Sequence, residues 1–166
     1  MRVDTVGNIR NNDGTLNLFD NTLSLSFDDP PNVKNYYLLE VVGSGIGYDT
    51  YTREDGPITT KLQPFSDNEL FEYNSSKRLF FTDQFLDGKT IDFNFNYSVP
   101  LGWDTLAAIE VRLTSTTREA YLYQLTTDKY DVGRFRRFTE PVTSFSNIEN
   151  GVGVFSVAKV LTWKFD

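Results

Sequence analysis

An all-β fold, an antiparallel β-sandwich or partly closed barrel with one α-helix near residues 117–131, is what the chain predicts, and three observations carry that expectation. The segment Ile91-Asp92-Phe93-Asn94-Phe95-Asn96-Tyr97-Ser98-Val99 alternates apolar and polar residues without interruption, the period of a half-buried strand. Aromatic residues make up 15% of the chain, with 14 Phe and 9 Tyr, and their bulk suits a pleated, half-buried surface. Helical spacing is confined to one stretch, where Thr116 and Glu119 form a capping box and Tyr121, Leu122 and Leu125 follow. A length of 166 residues suffices for one core, so a single β domain over 1–166 is expected.

The elements follow in order along the chain. Leu23-Ser24-Leu25-Ser26-Phe27 puts its large side chains on one face and its serines on the other, and Asp28-Asp29-Pro30-Pro31 closes it as a turn. Tyr36 to Val42 is apolar on both faces apart from Glu40, which predicts a more central strand, and Gly43, Gly45 and Gly47 then bend a loop or a bulge. From Gly47 to Asp67 the pattern is weak and polar, fitting short edge strands around Tyr48 to Tyr51 and a loop through Gly56-Pro57 and Pro64. Leu79 to Phe81 is expected to form a hairpin with the strand at 91–99 across the Asp87-Gly88 turn, with Pro100 as the stop. In Ala107 to Leu113 the alternation assigns Ala107, Ile109, Val111 and Leu113 to the core and Glu110 and Arg112 to water. A helix over Thr117 to Asp131 ends near Gly133. Strands at Pro141 to Ser146, Val152 to Val157 and Val160 to Phe165, with a turn through Asn150-Gly151, complete the chain.

Composition narrows the function. There is no Cys and no His, which removes the thiol nucleophile, the imidazole base, the Ser-His-Asp triad and zinc sites built from those ligands. No catalytic residue, cofactor or metal is expected, and the chain is not expected to be an enzyme. A formal charge of -7 disfavours nucleic acid, whose phosphates are gripped by Lys and Arg. No stretch approaches the roughly 20 apolar residues of a spanning helix. The polar start, Met1 to Arg10, carries no apolar signal core, so a soluble chain without an export signal is expected.

Paired carboxylates are the catalytic option that the missing His leaves open, since glycoside hydrolysis needs two acids about 5–9 Å apart. Asp28, Asp29, Asp83 and Asp87 all sit in turns, where acids ordinarily accept hydrogen bonds from backbone amides, and that is the role expected of them. The same acids could ligate calcium, but no stretch has the spacing of an EF-hand loop. Ser156-Val157-Ala158-Lys159 spells the S-x-x-K of serine acyl-enzymes in a strand pattern, which sends its two ends to opposite faces. Gly43-Ser44-Gly45-Ile46-Gly47 looks like a phosphate-cradling loop, yet no helix follows it. Arg134-Phe135-Arg136-Arg137-Phe138 is a dense basic patch, read first as anchored aromatics with solvated or paired arginines. Its functional alternative is a partner surface, because Arg and aromatic residues are enriched at interface hot spots. Candidate partner contacts are Tyr48, Tyr51, Phe135, Arg136 and Arg137.

Four elements occur in a recognisable order. Phe27-Asp28-Asp29-Pro30 is followed by Asn35-Tyr36-Tyr37-Leu38, then by Phe85-Leu86-Asp87-Gly88-Lys89 before a long strand. After the helix come Glu140-Pro141-Val142 and Ser146-Asn147-Ile148-Glu149-Asn150-Gly151-Val152-Gly153-Val154-Phe155. From about Leu23 to Phe155 the chain therefore resembles the C-terminal part of a Bacteroidetes outer-membrane lipoprotein family, domain of unknown function four-two-four-nine (DUF4249). Members usually begin with a secretion signal, a lipobox cysteine and an N-terminal β region. None of these is found here, so the chain is expected to be the C-terminal portion of a longer lipoprotein.

The resemblance implies an outer-membrane or cell-surface location as a lipoprotein, often beside TonB-dependent receptors that import nutrients, with no activity assigned. The function expected is a non-catalytic accessory or binding domain that partners such a receptor, or a glycan or peptide cargo. The alternative is a carbohydrate-binding or carbohydrate-active domain using tyrosines, Trp103 and a carboxylate pair.

Overall fold

The computed structural model describes residues 2–5, 21–49, 53–74, 78–133, 145–149, 151 and 153–165. Among them the elements run β1 (Arg2–Thr5), β2 (Thr22–Asp28), β3 (Tyr36–Asp49), β4 (Glu54–Phe65), β5 (Phe71–Asn74), β6 (Leu79–Thr82), β7 (Thr90–Ser98), β8 (Trp103–Thr116), α1 (Arg118–Gly133) and β9 (Ala158–Phe165). Every ladder is antiparallel. One half of the sheet is β1-β2-β7; the other is built on β3, flanked by β8 and β9 on one side and by β6 and β5 on the other.

Strand β4 joins the halves. It pairs with β3 through residues 54–62 and with β7 through 63–65, so the sheet turns over on itself at Leu62-Gln63 and is not closed into a barrel. Gly56, Pro57 and Pro64, expected in a loop, lie inside this strand. Among the described residues β4 has a strand neighbour on one side only at each proline, Ile46 opposite Pro57 and Tyr97 opposite Pro64, which is where a strand tolerates proline.

The core fills the space between the halves. Leu23, Leu25 and Phe27 of β2 and Ile91, Phe93, Phe95 and Tyr97 of β7 face Tyr37, Leu39, Val41, Phe81, Val111 and Leu113 of the other half, all of them buried. Phe81 sits at the hub of the aromatic packing, with ring centroids of Tyr37, Phe71, Phe93 and Phe27 at 5.1, 5.4, 5.4 and 6.3 Å. The edge-to-face geometry of several of these pairs is the one aromatic quadrupoles favour.

Strand β6 pairs with β3 and β5, and not with β7 across the Asp87-Gly88 turn. Its burial explains the difference. All four residues of β6 are buried, so it needs cover on both faces, whereas β7 alternates buried and exposed. Phe81 takes the sandwich core and Phe80 the opposite face, where Leu38, Phe80 and Tyr121 form a second small core beneath α1.

Helix α1 lies on that outer face. Its cap is Thr117, whose hydroxyl accepts from the Ala120 amide at 3.3 Å, one residue later than the capping box built on Thr116. Tyr121 packs on Tyr36 and Phe80 and donates to Glu72 Oε2 at 2.9 Å, while Thr82 donates to Glu72 Oε1 at 2.9 Å. Arg78, just before β6, bridges sheet and helix: its guanidinium lies 3.3 Å from Asp128 of α1 and 3.4 Å from Glu40 of β3, and it donates to Gln124.

Two bulges in β8 revise its predicted pattern. Opposite β3 the register passes from Ala108 to Leu106 and from Thr105 to Trp103, so Ala107 and Asp104 are the extra residues. Leu106 therefore takes the core position and Ala107 is exposed, while Ile109, Val111 and Leu113 are buried as expected. Gly45 and Gly47, read as turn or bulge glycines, lie within β3 opposite these bulges. A Cβ on Gly45 would stand 2.0 Å from the Thr105 carbonyl oxygen, and one on Gly47 2.6 Å from that of Gly102. Only glycine lets β8 approach so closely.

Near the C-terminus, β9 runs from Ala158 to Phe165, slightly longer than the strand expected at Val160 to Phe165. The strand expected at Val152 to Val157 is not one: residues 153–157 have no ladder. The Asn147 carboxamide substitutes for a neighbouring strand, donating to the Phe155 carbonyl and accepting from the Phe155 amide, both at 3.0 Å. Residues 141–144, Asn150 and Val152 lie outside the described residues, whereas Phe145 and Ser146 are described and are not strand.

Candidate functional site

The two ends of the β2–β7 ladder carry different chemistry. At the first end, where Asp28 pairs with Thr90, the turns after β2 and β6 meet. Asp29 and Asp83 are buried, Asp87 is exposed, and their carboxylate oxygens lie within 4.8 Å of one another. Asp29 accepts from the Tyr37 hydroxyl, from Asn35 Nδ2 at 3.2 Å and from the Gly88 amide at 3.1 Å. Asp83 Oδ2 accepts from the Asn35 amide at 2.7 Å and from Asn35 Nδ2 at 3.2 Å, and Asp87 Oδ1 accepts from the Asn32 amide at 2.8 Å. Asp28 accepts from the Thr90 hydroxyl at 2.7 Å.

Asp29, Asp83 and Asp87 thus accept hydrogen bonds from backbone amides that fasten the turns, as their sequence context suggested, whereas Asp28 ends β2 and accepts from the Thr90 hydroxyl across the ladder. Gly88 completes the arrangement: at φ 69° it adopts a left-handed conformation that presents its amide to Asp29. Among the described residues, Asp29, Asp83 and Asp87 are the group that could hold an oxygen-seeking cation. A cation there would share oxygens already accepting from peptide and side-chain donors.

At the opposite end, Asn21, Phe65 and the turn from Tyr97 to Trp103 line an open pocket of about 310 Å³. Every described lining side chain is uncharged. Phe65 is 43% exposed, Trp103 is half-buried, and Tyr97 is buried, with a hydroxyl that has no hydrogen-bond partner among the described residues. The close approach that Gly45 and Gly47 permit is what seats Trp103: its indole would lie 3.0 Å from a Gly45 Cβ, and its Cα 3.1 Å from one on Gly47.

Burial raises the phenol of Tyr37 well above its ordinary 10.0, helped by the hydrogen bond to Asp29 and by the charges of Asp29 and Asp83. Tyr97 is raised by burial alone, and Tyr121 by burial and then by its bond to Glu72. A folded pKa above the unfolded one means that the unfolded chain gives up its phenol protons first. The stability these groups hold below pH 10.0 is therefore lost as pH rises past that value. Alkaline titration followed by phenolate absorbance should show Tyr37, Tyr97 and Tyr121 ionising late, in one step with the loss of near-ultraviolet circular dichroism. Smooth ionisation of every tyrosine near pH 10.0 in the folded protein would contradict their burial.

Of the candidate partner contacts, Tyr48 is on β3 and 48% exposed. Tyr51, Phe135, Arg136 and Arg137 lie outside the described residues. Ser156 is exposed ahead of β9 and Lys159 pairs with Ser115 within it. Sequence reasoning missed the end pocket, whose described members come from three separate segments. The one signal that could have found it is the closing run Ser98-Val99-Pro100-Leu101-Gly102-Trp103, too apolar for a solvated turn.

Among the described residues, fold and surface together define an antiparallel β-sandwich with one outer helix, an acid-stapled end and an aromatic pocket at the other end. The chain belongs to the domain of unknown function family DUF4249, whose model matches residues 2–163. No curated protein and no solved structure matches it. No described helix is long and apolar enough to cross a membrane.

Proposed function

We propose that this is a non-catalytic binding module of a Bacteroidetes outer-membrane lipoprotein, and that it docks on a TonB-dependent receptor. The observation that carries this reading is the exposure of large apolar side chains on β9 and just before it. Phe155 is 86% exposed and Val157 76% just before β9, Trp163 is 38% exposed on the face of β9 that continues the core side of β8, and Val160 is 52% exposed on its other face; among the described residues β9 is a terminal strand of the sheet. A solvated terminal strand is ordinarily protected by charge or proline, and grouped apolar residues there mark a surface that a partner covers. Beside it, Phe27, Tyr37, Leu113 and Leu161 line a recess of about 90 Å³ that extends the apolar surface inward. Tyr48 and Ile46 add exposed apolar area at the far end of β3.

The test is an affinity capture from native membranes with the tagged full-length protein, eluted at moderate salt and identified by mass spectrometry. One TonB-dependent receptor in stoichiometric yield is the expected result. Trp163→Ser together with Val160→Ser should reduce that yield by about tenfold or more, as hot-spot truncations do, with the melting temperature held. Equal capture by the double variant removes β9 as the contact, and no receptor in any preparation removes the reading.

A further inference from the structure

We infer that the receptor contributes an extended segment that pairs with β9 as an added strand of the sheet, and that this segment sets an acidic residue against Lys159. The inference rests on the receptor reading and deepens it by naming how the contact is made. Its first support is that β9 exposes apolar groups on both of its faces. Leu161 and Phe165 are half-buried and the other residues of the strand are exposed. Trp163, opposite Val111, lies on the core side, and Val160, opposite Thr114, on the other. A flat partner surface covers one of these faces only. A strand laid along the edge reaches both, because its own side chains alternate and each meets a cross-strand neighbour.

The second support is the edge itself. Among the described residues β9 pairs with β8 alone, in continuous register from Ala158 to Phe165 without a bulge. Edge strands are commonly kept short, bent by a bulge or interrupted by proline, and β9, 8 residues long, has none of these devices. In an antiparallel ladder every second residue turns its N–H and C=O away from the partner strand, so β9 presents a row of donors and acceptors spaced for another backbone. An extended peptide is the chemistry that matches such a row.

Charge sets the composition of the added strand. The charged residues of β9 are Lys159 and Lys164, in a chain whose formal charge is -7. Lysines guard an edge against indiscriminate pairing, but the Lys164 ammonium is already held 3.3 Å from Glu110 Oε2 of β8. Lys159 is exposed beside the apolar recess of Phe27, Tyr37, Leu113 and Leu161 and forms no ion pair among the described residues. A segment with an acidic residue opposite Lys159 and an apolar one opposite Leu161 complements this edge on its core side. A second copy of β9 does not, because it brings lysine and no acid.

The experiment uses the tagged full-length protein, free and captured with its receptor from native membranes, with amide hydrogen exchange resolved residue by residue over 158–165. In the free protein the alternate amides that bond to β8 should exchange slowly and those between them fast. Capture should slow the second set by about tenfold or more. Lys159→Glu should lower the yield of receptor by about three- to tenfold, Lys159→Gln by less, and Lys159→Arg should hold it, with melting temperatures unchanged. A captured receptor that leaves the outward amides fast overturns strand addition while the receptor reading stands. Equal capture by Lys159→Glu overturns the acidic partner segment. Absence of any receptor overturns the docking reading itself, and the inference with it.

Discussion

Replacing Phe81 by alanine should lower the free energy of unfolding by about 3–5 kcal/mol, the cost of deleting a large buried ring that its surroundings cannot refill. The expectation rests on position. Phe81 is fully buried and touches aromatic rings from both halves, Phe27 and Phe93 on one side and Tyr37 and Phe71 on the other. Collapse is hindered because its neighbours belong to strands held in register by ladders elsewhere. Urea denaturation read by circular dichroism gives the number. Phe81→Leu, which keeps most of the volume, should cost clearly less, and equal losses for the two substitutions would mean that the hub is not tightly packed.

Removing Arg78 should cost about 3 kcal/mol or more, since truncating one partner of a buried ion pair leaves the other without compensation. The side chain of Arg78 is 12% exposed and that of Asp128 5%, so solvent screens the pair weakly. Arg78 also reaches Glu40 and Gln124, and its loss would release α1 from β3 at a place where the hydrophobic contact is small, resting on Leu38, Phe80 and Tyr121. Hydrogen exchange separates local from global effects. In Arg78→Ala the amides of α1 should lose protection before those of β3 and β8. Arg78→Lys should rescue little, because a single ammonium cannot span Glu40, Gln124 and Asp128 with the fork geometry of a guanidinium. Full rescue by lysine would reduce the contact to simple charge.

Strands whose two faces differ were legible in the sequence. β2 and β7 match their alternation residue for residue, because Leu23, Leu25, Phe27 and Ile91, Phe93, Phe95, Tyr97 each declare one buried face. Strands buried on both faces or lying at an edge were not. The partner of β6 is not legible because an apolar run carries no sign of which neighbour covers which face. β4 carries no strand signal of its own because proline is forbidden only where a strand flanks both sides, a property of the sheet and not of the segment.

The candidate sites divide the same way. Asp29, Asp83 and Asp87 were visible as turn acids, each with its local reason. Nothing local says that turns separated by more than 50 residues meet within hydrogen-bonding distance, as Asn32 does with Asp87 and Gly88 with Asp29.

The sequence by itself determined the all-β class, the single helix, the family and the absence of thiol and imidazole chemistry. These depend on residue types and on periods of two or 3.6, which are properties of neighbouring residues. Only the tertiary structure decided that β4 changes partner at Leu62-Gln63, that bulges at Ala107 and Asp104 are matched by Gly45 and Gly47, and that the Tyr97 phenol is buried without a hydrogen-bond partner among the described residues. The reason is physical: register, close approach and the pairing of a buried polar atom are set by segments far apart in the chain, and each becomes definite once those segments are packed together.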